Sequence, residues 1–265
     1  MITLEGVSKS FRLDDGRSEP VLSDLSLNVP EGEFLCVLGP SGCGKTTLLN
    51  LIAGFTAPTK GRVLVDGAEI GAPGPERAVV FQDAVLFPWL TVSRNIAFGL
   101  ELQGMKGRPL AERVSRYLAI MGLSEEDGGK YPHALSGGMS QRVALARVLA
   151  LEPKALLMDE PFSSLDVDTR ERLQDELLRL WAAHGTTVVY VTHSVEEAAY
   201  LADKVLVLGT PPGGSAELAV PQERPRNRSS DEFRAMKERL RGVLSEPLRS
   251  VRSHLSPYLE GGFHR

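Results

Sequence analysis

Residues 33–54 read EFLCVLGPSGCGKTTLLNLIAG, and their order decides how the rest of the chain is interpreted. Glu33–Leu38 is a nearly continuous apolar run of the kind that forms a strand buried on both faces. It stops at Gly39-Pro40, and Thr46–Ala53 then reads as a helix ending at Gly54. Strand, glycine loop and helix in that order form a phosphate-binding loop. The spacing Gly39-Pro-Ser-Gly-Cys-Gly-Lys45-Thr46 is that of a Walker A motif. Gly39, Gly42 and Gly44 let backbone N–H groups turn inward, and the helix that opens near Lys45 points its positive end at the same spot. Ser41, Cys43 and Thr47 complete the loop. Lys45 is expected to reach the β- and γ-phosphates of a nucleotide, and the Thr46 hydroxyl to ligate magnesium. The bland alternative, a glycine turn before an ordinary helix, does not account for strand, spacing and helix agreeing.

Working outward, Ile2–Phe11 and Val21–Val29 alternate apolar and polar residues as half-buried strands do, with a polar stretch at Leu13–Pro20 between them. They predict an antiparallel lobe. Gly61–Val65 with the Asp66-Gly67 turn predicts a hairpin, and Ala78–Phe81 a buried strand ending at Gln82. From about Thr91 to Leu151 the pattern turns helical, clearest over Leu110–Met121 and Met139–Leu151, with a loop of glycine and acid at Ser124–Gly129. Strand-like runs at Ala155–Met158, Thr186–Val191 and Lys204–Leu208 then alternate with helices at Asp168–Ala183 and Val195–Ala202. The expected fold is therefore α/β, a P-loop NTPase with a mainly parallel core sheet. An N-terminal antiparallel β lobe and an inserted α-helical subdomain at about 91–151 complete it. The expected division is an ATPase domain over 1–220 and a helical tail over 221–265.

The 265 residues suffice for one large domain without covalent staples, and the two cysteines, Cys36 and Cys43, do not make a disulfide framework. A reducing, cytosolic setting is the expectation. No charged and apolar leader is apparent, and no run approaches the roughly 18 apolar residues of a membrane span. The net charge of -4 lacks the basic balance that drives binding to nucleic acid, so no nucleic-acid partner is expected.

A P-loop needs a carboxylate at the end of a neighbouring buried strand to hold its magnesium, and Ala155-Leu-Leu-Met-Asp159-Glu160 offers two in succession. Asp159 is the metal-side candidate, and Glu160, where the strand opens into a loop, is the candidate general base toward the attacking water. Gln82 and His193 fall at strand ends on the edge where open parallel sheets bind ligands. Either could contact the γ-phosphate or the lytic water, with Gln82 also a candidate magnesium ligand. Both could equally be ordinary polar residues at strand ends.

Leu135–Arg142 read LSGGMSQR. Ser136, Gly137 and Gly138 precede an amphipathic helix, so a hydroxyl and free N–H groups face outward at a second positive helix end. One nucleotide does not need two such receptors in one chain. A two-fold dimer in which each chain's cap closes on the other's ATP uses both, the alternative being a simple N-cap at Ser136.

Taken together, GPSGCGKTT, Gln82, LSGGMSQR, ALLMDE, Ser163-Ser164-Leu165-Asp166 and His193 resemble, in order, the Walker A, Q-loop, signature, Walker B, D-loop and H-loop of ATP-binding-cassette (ABC) ATPases. The resemblance spans about residues 2–210. It implies ATP and magnesium as ligands, Ser136 and Gly138 against the opposite subunit's ATP, Asp166 linking the two sites, and His193 sensing the γ-phosphate. Phe11 matches the family's adenine-stacking aromatic, usually tyrosine; a strand-end core residue is the alternative. Met139 in the signature and the stretch Val80–Leu100 are similar to importers of the nitrate, aliphatic sulfonate and taurine group. That similarity implies a homodimer on the cytoplasmic face of the inner membrane, bound peripherally to polytopic permease subunits and indirectly to a solute-binding protein. Phe87 and Trp89 would then line the groove that receives a permease helix, unless they are core. Cassettes acting on nucleic acid or ribosomes, and exporter ATPases, are the rival classes. In the tail, Phe233, Met236, Leu240 and Leu244 lie at helical spacing and are expected to pack on the cassette, while Arg224, Arg226 and Arg228 are expected in a solvated turn. Cys43 is expected to be either a thiol activated by the helix N-terminus or a small filler.

Overall fold

The computed structural model describes residues 1–14, 16–74, 76–209 and 214–245. Two sheets meet across one shared layer of apolar side chains. The first is antiparallel, in the order β2-β1-β4-β5, built from β1 (Ile2–Arg12), β2 (Ser18–Val29), β4 (Lys60–Val65) and β5 (Ala68–Glu69). The second has the order β10-β9-β3-β8-β7-β6 and comprises β3 (Phe34–Leu38), β6 (Arg77–Val80), β7 (Ala155–Asp159), β8 (Thr187–Thr192), β9 (Lys204–Leu208) and β10 (Ser215–Ala219). Every pairing in it is parallel except that of the edge strand β10. The expected antiparallel lobe and mainly parallel core sheet are both present.

The unbroken apolar runs follow from burial on both faces. Along β3, Phe34, Cys36 and Leu38 face one core while Leu35 and Val37 face the other, and β7 and β8 divide in the same way. The second core is closed by α1 (Lys45–Ala53) and the antiparallel sheet. The first is closed by the helical insertion, by α6 (Val167–His184) and α7 (Val195–Leu201), and by the tail helix α8 (Asp231–Ser245).

The insertion between β6 and β7 holds α2 (Val92–Leu102), α3 (Gly107–Ile120), α4 (Glu125–Gly128) and α5 (Gly137–Leu149). Ser124–Gly129, expected as a loop, contains the single turn α4. Ser124 and Asp127 cap it reciprocally, a local arrangement strong enough to hold a turn amid glycines. The strand expected over Ala78–Phe81 runs instead from Arg77 to Val80. Phe81 leaves the sheet and stacks in the open on Phe55, with ring centroids 5.9 Å apart.

The tail departs most from expectation. Phe233, Met236 and Leu240 are buried and Leu244 is half-buried against the same core, as the helical spacing predicts. The three arginines before them are not a solvated turn. Arg226, only 7% exposed, donates to the carbonyls of Gln222, Ala199, Tyr200 and Val220. Arg224 pairs with Asp203 and lies over the Trp181 ring, and Arg228 lies over Tyr200. Planar guanidinium groups can stack and satisfy several carbonyls at once, and here they fasten the tail to α7. The sequence in this segment carries no periodicity that would reveal such long-range partners.

Candidate active site

Sheet register assembles the site. Leu38 pairs with Thr192, Asp159 with Val191 and Val80 with Met158. The segments that follow β3, β7, β8 and β6 therefore emerge together at the carboxyl edge, bringing the 39–46 loop, Glu160, His193 and Gln82 to one side of the molecule. β8 lies between β3 and β7, so the acidic strand is one strand removed from the P-loop rather than beside it.

The loop is shaped by close approach and by handedness, and its three glycines answer to these differently. A side chain at Gly39 would strike the Leu208 carbonyl oxygen at 2.6 Å, so close approach decides that position. Gly42 is exposed, with φ 77° and nothing within 4 Å of where a Cβ would stand, so handedness alone decides it. Gly44 meets both demands, with φ 99° and β2 packed over it through Val21 and Leu22. Glycine tolerates each of these conditions where other residues do not. Gly44 is also the N-cap of α1 and supplies no side-chain bond to the helix, and the first turn carries no acid. The opening amides of α1 are thus left for an external anion. Lys45 is folded back, its Nζ donating to the carbonyls of Gly39 (2.8 Å) and Pro40 (2.9 Å). Cys43 is buried against Gly39, and burial raises its thiol pKa, outweighing the opposing pull of Lys45 and the backbone amides. Of its two expected roles, burial favours the filler over the activated thiol.

Asp159 is buried, and burial is the main cause of its raised pKa; Glu160 adds to the rise, while the hydrogen bond from Thr46 and the charge of Lys45 oppose it. A buried carboxylate beside a hydroxyl, both hard oxygen donors, suits magnesium, which is held through one or two carboxylates together with substrate phosphates. Among the described residues no cluster of three or more His, Cys, Asp or Glu forms an all-protein metal cage.

The next residue, Glu160, sits at φ 44°, an uncommon conformation for a side chain of this size that the surrounding structure must hold in place. Its N–H donates to the Val191 carbonyl at 3.0 Å. Its Oε2 accepts from His193 Nδ1 at 2.8 Å; a carboxylate at that distance requires a ring proton on Nδ1. The half-buried carboxylate and the exposed imidazole thus form a dyad that the sequence, in which they stand 33 positions apart, does not display. Gln82 lies exposed just beyond β6.

Ser136 caps α5, its Oγ accepting from Met139 N at 3.2 Å. Ser136 and Gly137 are exposed, and a Cβ at Gly137 would meet nothing within 4 Å. Behind this cap, Gln141 Nε2 donates to the Pro161 carbonyl at 2.9 Å and Gly138 approaches Leu165, so the cap is tied to the loop that leaves Glu160. Asp166 caps α6 through Thr169 N at 2.9 Å. Phe11 is 44% exposed with the Lys9 ammonium 5.0 Å from its ring centroid, which removes the core alternative. Trp89, 71% exposed, is not core either, while Phe87 is half-buried between Phe98 and Arg147.

A buried carboxylate behind His193 escaped the sequence reading. Glu197 accepts from Thr192, Tyr190 and Gln174. Its one signal is an acid inside the otherwise apolar face of Val195–Ala202.

A protein-family profile described as ABC transporter matches residues 22–163. The chain is 47% identical to an uncharacterised ABC transporter ATP-binding protein of Methanocaldococcus jannaschii, over 95% of this chain and 94% of the relative. It is 48% identical to a taurine import ATP-binding protein of Chromobacterium violaceum, covering 84% and 85% of the two chains. It is 43% identical to an aliphatic sulfonates import ATP-binding protein of Bacillus subtilis, covering 92% and 93%. A dimeric ATP-binding cassette in a post-hydrolysis state with ADP and Pi superposes with a TM-score of 0.75 at 31% identity, over 84% of this chain and 100% of the other.

Proposed function

The chain belongs to the ABC transporter family, and we propose that it is the ATP-hydrolysing subunit of an importer for taurine, an alkanesulfonate, nitrate or a related small anion. The observation that carries the enzymatic half is the Glu160–His193 dyad, joined in sequence to the Asp159–Thr46 pair on the edge that bears the P-loop. Support for the cargo class comes from the import names of the relatives.

In this reading Lys45 leaves its loop carbonyls for the β- and γ-phosphates, and N–H groups of the loop and of the start of α1, from Ser41 to Thr47, take the remaining oxygens. Phe11 offers its exposed face to the adenine. Thr46, Asp159 and Gln82 would hold magnesium, which when bound neutralises charge on the phosphate oxygens. Glu160 takes the proton of the attacking water, with His193 Nδ1–H fixing the carboxylate and Nε2, once protonated, donating to the γ-phosphate. Ser136, Gly137 and Gly138 of each chain close on the ATP of the other in a homodimer, and Asp166 lies where the two sites communicate. The expected units are a cassette over 1–220, with 91–151 inserted, and the tail from 221; residues 246–265 of that tail lie outside the described residues.

Among the described residues no helix is long and apolar enough to cross a membrane. In the importer reading, coupling to transport runs through a polytopic permease, which holds the subunit at the cytoplasmic face of the membrane and links it to a solute-binding protein. Trp89, Val85, Phe81 and Phe55, all large, apolar and exposed, suit such docking.

Replacing Glu160 with Gln should slow hydrolysis by about 10²- to 10⁴-fold while ATP binding, followed by equilibrium dialysis, persists. Undiminished turnover would remove Glu160 from its role. For the cargo, cells lacking the chain should lose uptake of labelled taurine or an alkanesulfonate and regain it with the wild type but not with Glu160→Gln. Salt-sensitive retention on DNA or RNA would instead favour the nucleic-acid class.

A further inference from the structure

Thr192, His193 and Ser194 form the turn that presents the imidazole to Glu160, and hydrogen bonds on both sides of His193 lead back to one carboxylate. Thr192 Oγ donates to Glu197 Oε2 at 2.6 Å and accepts from Ser194 N at 2.9 Å. Tyr190 OH donates to the same oxygen at 3.0 Å, and Gln174 Nε2 to Glu197 Oε1 at 3.1 Å. The orientation of Gln174 is set in turn by Arg228, whose Nη2 donates to its Oε1 at 2.7 Å. Glu197, Gln174, Tyr190 and Thr192 are all buried.

This carboxylate is not explained as a helix-end acid. Ser194 already caps α7 by accepting from Glu197 N, and Glu196 beside it is half-exposed to solvent. The Glu197 side chain turns inward instead, where three donors converge on its two oxygens. A buried acid with all its partners supplied is rigid, and here the rigid group holds the residue next to the ring that fixes the general base.

We propose that Glu197 is a positioning residue for hydrolysis: through Thr192 it holds the His193 turn, and so the Glu160 carboxylate, in register with the attacking water, with Gln174 and the tail's Arg228 holding Glu197 in place. The inference rests on the reading of Glu160 as general base. A displacement of a supporting group by about 1 Å can cost on the order of 10²-fold in rate, so Glu197→Gln, which turns an amide toward two hydroxyls, should lower kcat about 10- to 100-fold and leave ATP affinity unchanged. Thr192→Val keeps the shape, removes the hydroxyl and should follow it; Thr192→Ser should rescue turnover.

In a Glu160→Gln background either substitution should slow the residual rate far less than it slows the wild type, because the carboxylate that they position is already lost. Wild-type kcat in Glu197→Gln, equal kcat in Thr192→Val and Thr192→Ser, or a fall in kcat matched by an equal loss of ATP affinity would each overturn the proposal. So would a full multiplicative effect in the Glu160→Gln background. If Glu160→Gln alone retains full hydrolysis, the reading of the general base fails, and the role of Glu197 with it; if Glu160→Gln is inactive while the Glu197 and Thr192 variants are not, only the present proposal falls.

Discussion

The N-termini of α1 and α5 both present free amides to solvent, yet only one is surrounded by chemistry. The α1 end has no side-chain cap, keeps its lysine folded on the loop, and stands on the edge with Asp159, Glu160 and His193. The α5 end has Ser136 bonded to its own helix and an exposed Gly137 with open space around it. Its ties run backward, to Pro161 and Leu165. A helix end inside a built half-site binds an anion with help from its own chain, whereas one that faces outward is open to an anion held by another molecule. The two ends therefore differ in what a substitution should disturb.

The strongest break of that comparison is Gly137→Asp. The site has room for the new side chain, so melting temperature and ATP binding by the monomer should stay near wild type. The carboxylate placed at the outward helix end should nevertheless lower hydrolysis by about 10²- to 10³-fold, the range for losing one well-aimed donor. Loss of ATP binding by the isolated monomer would place Gly137 in the chain's own site instead. Lys45→Ala tests the other end. It should weaken ATP affinity about 10- to 100-fold, as expected for a charge-assisted hydrogen bond of roughly 1.5–3 kcal/mol, and titration calorimetry with unchanged affinity would count against the P-loop assignment.

A smaller effect sharpens the contrast from the α1 side. Burial raises the Asp159 pKa, so the ligand-free fold binds that proton more tightly than the unfolded chain does. The carboxylate is consequently destabilising above its folded pKa, and stability is regained as pH falls through that value. Asp159→Asn should raise the melting temperature of the nucleotide-free protein at neutral pH, by a margin that shrinks toward acid, even as hydrolysis is lost. An unchanged or lower melting temperature at pH 7 would contradict it. The smallest effect concerns Cys43: with its thiol pKa raised by burial, iodoacetamide at pH 7–8 should label it more slowly than a free thiol and leave ATPase activity near its starting value. Rapid inactivation prevented by ATP would show that the helix end does activate the thiol.

Much of the fold was legible because its signals are local. Continuous apolar strands, the helix stop at Gly54 and the turn at Asp66-Gly67 each depend on neighbours within a few residues. The site was legible in its parts for the same reason, since strand ends at Asp159 and His193 follow from where apolar runs stop. What was not legible depends on distant partners. Arg226 finds four carbonyls that no spacing rule connects to it, and Cys43 lies at a helix end yet is governed by what packs around it. Glu197 reads as a helix-end acid until Gln174, 23 residues away, and Tyr190 converge on it.

The sequence by itself determined the order of strand, loop and helix, the glycine-rich loop over residues 39–47, the two acids where β7 ends and the capped helix start at Ser136–Gly138. Each is written in contiguous residues whose backbone preferences and hydrogen-bonding groups act over one or two turns. The tertiary structure alone decided that Gly39 is held by close approach while Gly42 stands in the open. It alone decided that Glu160 meets His193, that Phe11 and Trp89 are exposed, that Arg226 is buried, and that Glu197 stands behind the His193 turn. Those outcomes depend on which strand lies beside which and in what register, and register is set by the packing of the whole sheet rather than by any one segment of it.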